Sequence, residues 1–169
     1  MDKIAILGNS GSGKSTLAKN LGEILGIEPT HFDALHWLPG WVESSNEHKC
    51  EAIAEVLKRD RWIIDGNYRR VLWEERMRDA DTVIMLDVNR FKCFYQAFKR
   101  SCIYKGKTRP DMGEGCTEKF DLEFAKWILT GGKRRKRNLE FMKFIKESGK
   151  KTYIFKNNRE INKFLEGLK

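Results

Sequence analysis

Gly8-Asn9-Ser10-Gly11-Ser12-Gly13-Lys14-Ser15 matches G-x-x-x-x-G-K-[ST] at every fixed position. The chemistry this spacing permits is the capture of a phosphate chain. Gly8, Gly11 and Gly13 let successive main-chain N–H groups turn inward and form an anion-binding nest. A helix opening at Lys14 aims its positive N-terminal end at the same point. Lys14 can reach the β- and γ-phosphates, and the Ser15 hydroxyl can ligate Mg²⁺. Ser10, Ser12 and Thr16 complete the expected nucleotide-binding set, so ATP and Mg²⁺ are the expected cofactors.

Three aspartates are candidates for the rest of the chemistry. In an open parallel sheet, ligands bind beyond the carboxyl ends of the strands, and Asp33, Asp65 and Asp87 each stand at such an end by sequence. Mg²⁺ takes hard oxygen ligands and keeps most of its waters, so one carboxylate near Ser15 suffices. Asp65, closing Trp62-Ile63-Ile64, is the first choice. Asp87, closing Val83-Ile84-Met85-Leu86, fits the local pattern of a Walker B aspartate equally well. Asp33 can orient or deprotonate an acceptor hydroxyl. For each of them a helix-cap or turn role is the alternative. Beyond Asp33, Trp37 and Trp41 flank Leu38-Pro39-Gly40; they either wall an acceptor pocket or pack beneath the loop.

The elements that must position these groups alternate along the chain. Ile4–Leu7 reads as an apolar strand, followed by the glycine-rich turn and a helix over 14–25. A weaker second strand is expected over Glu28–Phe32, then a Trp/Pro/Gly-rich loop and a helix over about 45–59. Trp62–Ile64 and Thr82–Leu86 read as the third and fourth strands, with a short helix over about 70–78 between them. Lys151–Phe155 reads as a fifth strand, and 160–168 as a closing helix capped by Asn157 or Asn158. Strands apolar on both faces and separated by helices imply a parallel sheet covered on both sides, a three-layer α/β domain. Residues 90–147 interrupt the alternation with helical patterns, Phe91, Phe94 and Phe98 sharing one face and Phe120, Phe124, Trp127 and Ile128 another. This stretch reads as a helical lid on one domain spanning 1–169.

With 169 residues, 40% apolar and 34% charged, the chain can bury a core without disulfides or a structural metal. The four cysteines have no CxxC pair and no histidine at ligand spacing, which argues against zinc or a disulfide framework. The first apolar run is too short for a signal peptide or a membrane span, so a cytoplasmic protein with no membrane partner is expected. Charge is uneven. Residues 1–84 hold 11 Lys/Arg and 14 Asp/Glu, whereas residues 85–169 hold 22 and 10, peaking at Lys133-Arg134-Arg135-Lys136-Arg137. Such a half either attracts polyanions, nucleotide phosphates or nucleic acid, or forms a solvated helix face.

Four segments together carry a resemblance: Gly8–Ser15, His31-Phe32-Asp33-Ala34-Leu35-His36-Trp37-Leu38-Pro39-Gly40-Trp41, Ile64-Asp65-Gly66-Asn67-Tyr68, and Arg109-Pro110-Asp111-Met112 through Cys116-Thr117-Glu118-Lys119-Phe120. They resemble the bacterial DNA topology modulation protein family, which is related to adenylate kinase and similar small-molecule kinases. The resemblance implies a P-loop NTPase fold with a five-stranded parallel sheet, like that of nucleoside monophosphate kinases. It also implies γ-phosphoryl transfer from ATP to a small acceptor such as a nucleoside or nucleotide. Asp65-Gly66-Asn67-Tyr68-Arg69 is similar to the Asp-Gly-Phe-Pro-Arg segment of those kinases. That match implies a Mg²⁺-shell role for Asp65 and an acceptor-phosphate role for Arg69, while Asn67 and Tyr68 depart from it and imply a different acceptor site. Lid arginines are implied as well, with Arg100, Arg109, Arg134 and Arg137 as candidates. The family name implies an alternative, a nucleotide-regulated protein that binds DNA and modulates its topology.

Overall fold

The computed structural model describes residues 1–130 and 134–169, with backbone only for 134–137, 145 and 146. The basic run at 133–137, including Arg134 and Arg137, therefore lies outside the residues whose side chains are described.

β1 (Lys3–Gly8) passes through the glycine-rich loop into α1 (Lys14–Leu25), and β2 (Pro29–His31) runs directly into α2 (Phe32–His36). A small antiparallel hairpin follows, β3 (Trp37–Leu38) and β4 (Val42–Glu43), joined by a 3-10 turn at Pro39–Trp41. Next come α3 (Asn46–Leu57), β5 (Trp62–Asp65), α4 (Trp73–Asp79) and β6 (Thr82–Leu86). Three helices, α5 (Arg90–Ile103), α6 (Leu122–Thr130) and α7 (Arg134–Glu147), precede β7 (Lys151–Phe155) and α8 (Asn158–Glu166).

The main sheet has the order β2-β5-β1-β6-β7, with every pair parallel. Period-two alternation sorts β1 onto two cores. Ile4 and Ile6 face Leu17, Leu21, Ile84 and Ile161 on one side, while Ala5 and Leu7 face Phe32, Ile53, Ile64, Met85 and Phe141 on the other. All of these are buried, and each large aliphatic side chain so placed contributes on the order of 2 kcal/mol by removal from water. The three-layer arrangement expected from the strand pattern is the one observed. Placing β1 at the centre puts the glycine-rich loop at the middle of the sheet's carboxyl edge.

The differences from expectation are local. The second strand is three residues long, and Phe32 begins a helix instead of ending a strand, because its ring is buried against Tyr68 and the Arg76 guanidinium. Asp33 accordingly sits in the first turn of α2, past the strand end. The Trp/Pro/Gly segment is a hairpin, not an open loop. The helix expected from about residue 70 starts at Trp73, since Leu72 adopts a left-handed conformation with φ of 43°. Ser45 caps α3 by accepting the His48 amide at 3.1 Å. Asn157 caps α8, accepting from the Glu160 amide at 3.1 Å. Among the described residues, no helix is long and apolar enough to cross a membrane.

Candidate active site

A cleft of about 1950 Å³ opens along the carboxyl edge of the sheet. At one end lies the loop. Ser10, Gly11, Gly13, Lys14, Ser15 and Thr16 border the cleft, whereas Gly8 and Ser12 are buried beneath them. Gly11 has φ of 74°, and a Cβ there would stand 2.3 Å from the Cys93 carbonyl oxygen, so the loop is pressed onto the start of α5 in a way only glycine allows. Gly13 leads α1 without a side-chain cap, and the first turn of that helix carries no acid, leaving its amides to an external anion. The buried Ser12 hydroxyl meets no hydrogen-bonding partner among the described residues. An orphaned donor inside a nest of amides is the fit expected for phosphate oxygens. Lys14 Nζ folds back to donate to the Asn9 carbonyl at 3.3 Å.

The loop is clamped from β5. Asn67 Oδ1 accepts the Gly8 N–H at 3.1 Å, and Asn67 Nδ2 donates to the Gly8 carbonyl at 2.6 Å. One side chain thus completes both main-chain bonds of Gly8 on the side where β5 has ended.

At the other end of the cleft, Asp33 Oδ1 accepts from the Tyr68 hydroxyl at 2.9 Å. Burial and the Asp33 charge raise the Tyr68 pKa well beyond the usual phenol range, so Tyr68 is a fixed donor. Its ring stacks on Phe32 with centroids 4.8 Å apart and lies 4.8 Å from His36. Trp37 and Trp41 meet edge to face at 5.5 Å, and both border the cleft while remaining half-buried. Trp41, at φ of 66°, is held by its indole N–H donating to Thr117 O at 2.9 Å. Burial and the neighbouring Lys49 charge hold His36 below the ordinary histidine range.

Asp65 is buried, with Oδ2 2.8 Å from His31 Nδ1. Burial works to depress the His31 pKa, but the hydrogen bond and charge of Asp65, backed by Asp111 and Asp33, lift it above the usual imidazole value. Asp65 and Ser15 offer the hard oxygens that Mg²⁺ favours. Asp87 accepts from Asn138 Nδ2 at 2.8 Å; neither aspartate lines the cleft, which Asp65 approaches only through His31.

The arginines divide. Arg100 donates from Nε to Glu118 Oε1 at 3.0 Å, and Arg109 pairs with the second oxygen of Glu118 and with Asp111, its Nη1 2.8 Å from Oδ2. Both border the cleft. Arg69 also borders it, but its guanidinium pairs with Glu140 at 2.7 Å and lies over the Trp73 and Phe141 rings.

Four residues at the site escape pattern reading. Lys49 falls on the inner stripe of α3 with Ile53 and Val56, at i, i+4 and i+7, and a charged residue on that stripe was the available signal. Arg76 is buried under Phe32 and Trp73, donates to Gly66 O at 3.3 Å and Tyr68 O at 2.7 Å, and has its pKa pushed down to about 10 by burial. Its neighbour Met77 faces the same core. His31 and Glu118 have no local signal, since their partners lie 34 and 18 residues away in sequence.

No protein-family model matches the chain, and no curated protein does. Solved structures do. Deoxyadenosine kinase from M. mycoides with bound dATP superposes with a TM-score of 0.59 at 15% identity, covering 98% of each chain. Shikimate kinase from Acinetobacter baumannii in complex with shikimate superposes with a TM-score of 0.59 at 12% identity, over 99% of this chain and 90% of that one. At such identities the likeness is one of fold, the parallel α/β architecture described above.

Proposed function

We propose that the protein is an ATP-dependent kinase that transfers the γ-phosphoryl group to a hydroxyl of a small-molecule acceptor. The observation that carries this reading is that the Gly8–Ser15 cradle and the Asp33–Tyr68 pair open into one cleft. The cradle's amides and Lys14 hold the phosphate chain. Tyr68 fixes one oxygen of Asp33, leaving the other to accept the proton of the acceptor hydroxyl. That hydroxyl oxygen bonds to the γ-phosphorus as the bond to the β,γ-bridging oxygen breaks, releasing ADP. Mg²⁺, held through Ser15 and the Asp65 carboxylate, would offset charge on the phosphates. Arg100 and Arg109, fixed by Glu118, face the space where that charge grows, and the 104–118 segment acts as a lid that excludes water. Trp37, Trp41, Tyr68 and Arg69 border the acceptor end.

The sequence motifs support placing the chain with the DNA topology modulation proteins as an adenylate kinase-like member. A nucleotide-regulated DNA-binding role remains the second reading, favoured by the 22 to 10 excess of basic over acidic residues in 85–169. Against it, Lys92, Lys99, Lys119 and Lys126 border the cleft itself, where a nucleotide needs them. Loss of DNA affinity that steepens with salt supports that second reading, and no binding at low salt removes it.

The direct test is to screen nucleosides, nucleotides and small hydroxylated metabolites with Mg·ATP, using Lys14→Ala as the blank. Product formed by the wild type and not by the variant supports the kinase. Identical background from both defeats it.

A further inference from the structure

We infer that the acceptor carries an anionic group, which Lys49 binds by displacing the carboxylate of Glu43. The inference rests on the kinase reading of the cleft and narrows the class of acceptor it takes. The Lys49 side chain is 2% exposed, on a helix stripe otherwise occupied by Ile53 and Val56. Taking an ammonium out of water is strongly unfavourable unless an anion meets it, and an apolar residue would pack there at lower cost. Among the described residues its carboxylate partner is Glu43 on β4, at 3.4 Å; its other contact is His36 Nδ1 at 3.2 Å. His36, held below the ordinary histidine range, is a neutral acceptor and leaves the charge to Glu43.

Glu43 is poorly suited to be a permanent counter-ion. Its side chain is 63% exposed, and its contacts to Lys49 and to His36 Nε2, at 3.4 and 3.8 Å, are both long. Charge-assisted N–H···O bonds close to roughly 2.7–2.9 Å when well formed. A desolvated cation is therefore matched with a loosely seated carboxylate that can turn to water without loss of hydration. Both border the cleft, and His36 connects them to the Tyr68–Asp33 pair through ring centroids 4.8 Å apart. An anionic group entering here finds its cation already stripped of water, while the acceptor hydroxyl meets Asp33. A phosphate monoester and a carboxylate both satisfy this chemistry; a neutral acceptor leaves Glu43 where it is.

The test first saturates the phosphate loop with Mg²⁺ and a non-hydrolysable ATP analogue, so that added anions cannot bind there. Inorganic phosphate and acetate are then titrated at constant ionic strength, with glycerol as the neutral control, following the thermal midpoint. Stabilisation by phosphate alone points to a phosphorylated acceptor, and by acetate alone to a carboxylate; glycerol gives none. Glu43→Gln should tighten the active anion about tenfold and Lys49→Met should weaken it about tenfold, the range of one charge-assisted contact. Affinity for the ATP analogue stays within about twofold in both variants, since neither side chain touches the loop. Should Lys49→Met misfold, the exposed Glu43→Gln still decides the matter. No response to either anion, or a Glu43→Gln protein with unchanged anion affinity, overturns the inference. Failure of the ATP analogue itself to bind would instead strike the kinase reading.

Discussion

Asn67 and Gly8 form a closed pair in which one carboxamide accepts the N–H and donates to the C=O of one glycine, at 3.1 and 2.6 Å. The pair continues the hydrogen-bonding of β1 one step past the end of β5, whose last registered partners are Ile6 and Asp65. It fixes the direction in which the chain leaves the sheet and so the orientation of the amides that follow.

Asn67→Ala should therefore weaken ADP binding about tenfold while lowering stability by only ~1–2 kcal/mol, the net value of two neutral hydrogen bonds. Asn67→Asp should be worse, because it keeps the acceptor but sets a carboxylate oxygen against the Gly8 carbonyl. Calorimetric titration with ADP and urea unfolding check both. ADP affinity unchanged within about twofold in Asn67→Ala would show that the clamp does not orient the loop.

The proposed Mg²⁺ role of Asp65 distinguishes two aspartates that look alike in sequence. Neither side chain borders the cleft, but Asp65 contacts His31, which does, whereas Asp87 is engaged with Asn138, which does not. Asp65→Asn should lower kcat/KM by about 100-fold, as removal of one well-placed electrostatic partner does, with Asp87→Asn losing far less. Steady-state kinetics across Mg²⁺ concentrations provide the comparison; equal losses or the reverse order would overturn it.

Glu118 joins an arginine of α5 to one of the 104–118 segment, with its side chain only 2% exposed. Glu118→Gln leaves two guanidinium groups facing each other without a shared carboxylate and should cost roughly 3 kcal/mol. Removing Arg109 as well should recover part of that loss, because the penalty comes from unpaired charge. Denaturant unfolding of both single variants and the double variant completes the cycle, and strictly additive losses would refute the coupling.

Acid sensitivity has a source far from the cleft. Burial works to raise the Asp81 pKa, but the Thr82 hydroxyl and the Lys3 and Asp2 amides donate to its carboxylate and hold it below the usual range. A carboxylate depressed in the folded state stabilises fully above its unfolded pKa and loses that contribution as pH falls through its folded pKa. Asp81→Asn should therefore show a shallower fall in melting temperature between pH 5 and pH 3, about the range where carboxylates take up protons. A parallel decline in both proteins would exclude Asp81 as the cause.

Sheet, helices and the phosphate loop are legible in the sequence because their signals are local. β6 and β7 fall at the expected residues, as does α1, each marked by an uninterrupted apolar run or a 3.6-residue period. Phe32 shows where local reading fails: a residue with strand propensity opens a helix because tertiary packing against Tyr68 and Arg76 decides its place. The candidate site divides in the same way. The loop spells itself out in eight consecutive residues, but the pairs His31–Asp65, Asp33–Tyr68 and Arg100–Glu118 exist only once distant segments meet. Lys49 and Arg76 could have been noticed as charges on otherwise apolar helix faces, a mismatch that periodicity exposes without explaining.

Arg76 bears on how such a protein can change. Its guanidinium is wedged among Phe32, Trp73 and the carbonyls of Gly66 and Tyr68, so the floor of the cleft beside Asp33 and Tyr68 is continuous with the hydrophobic interior. New preferences for what is bound cannot be carved from below without endangering the whole molecule. Adaptation is channelled to the rim, where Trp37, Trp41 and Asp111 stand on a hairpin and a loop outside that interior.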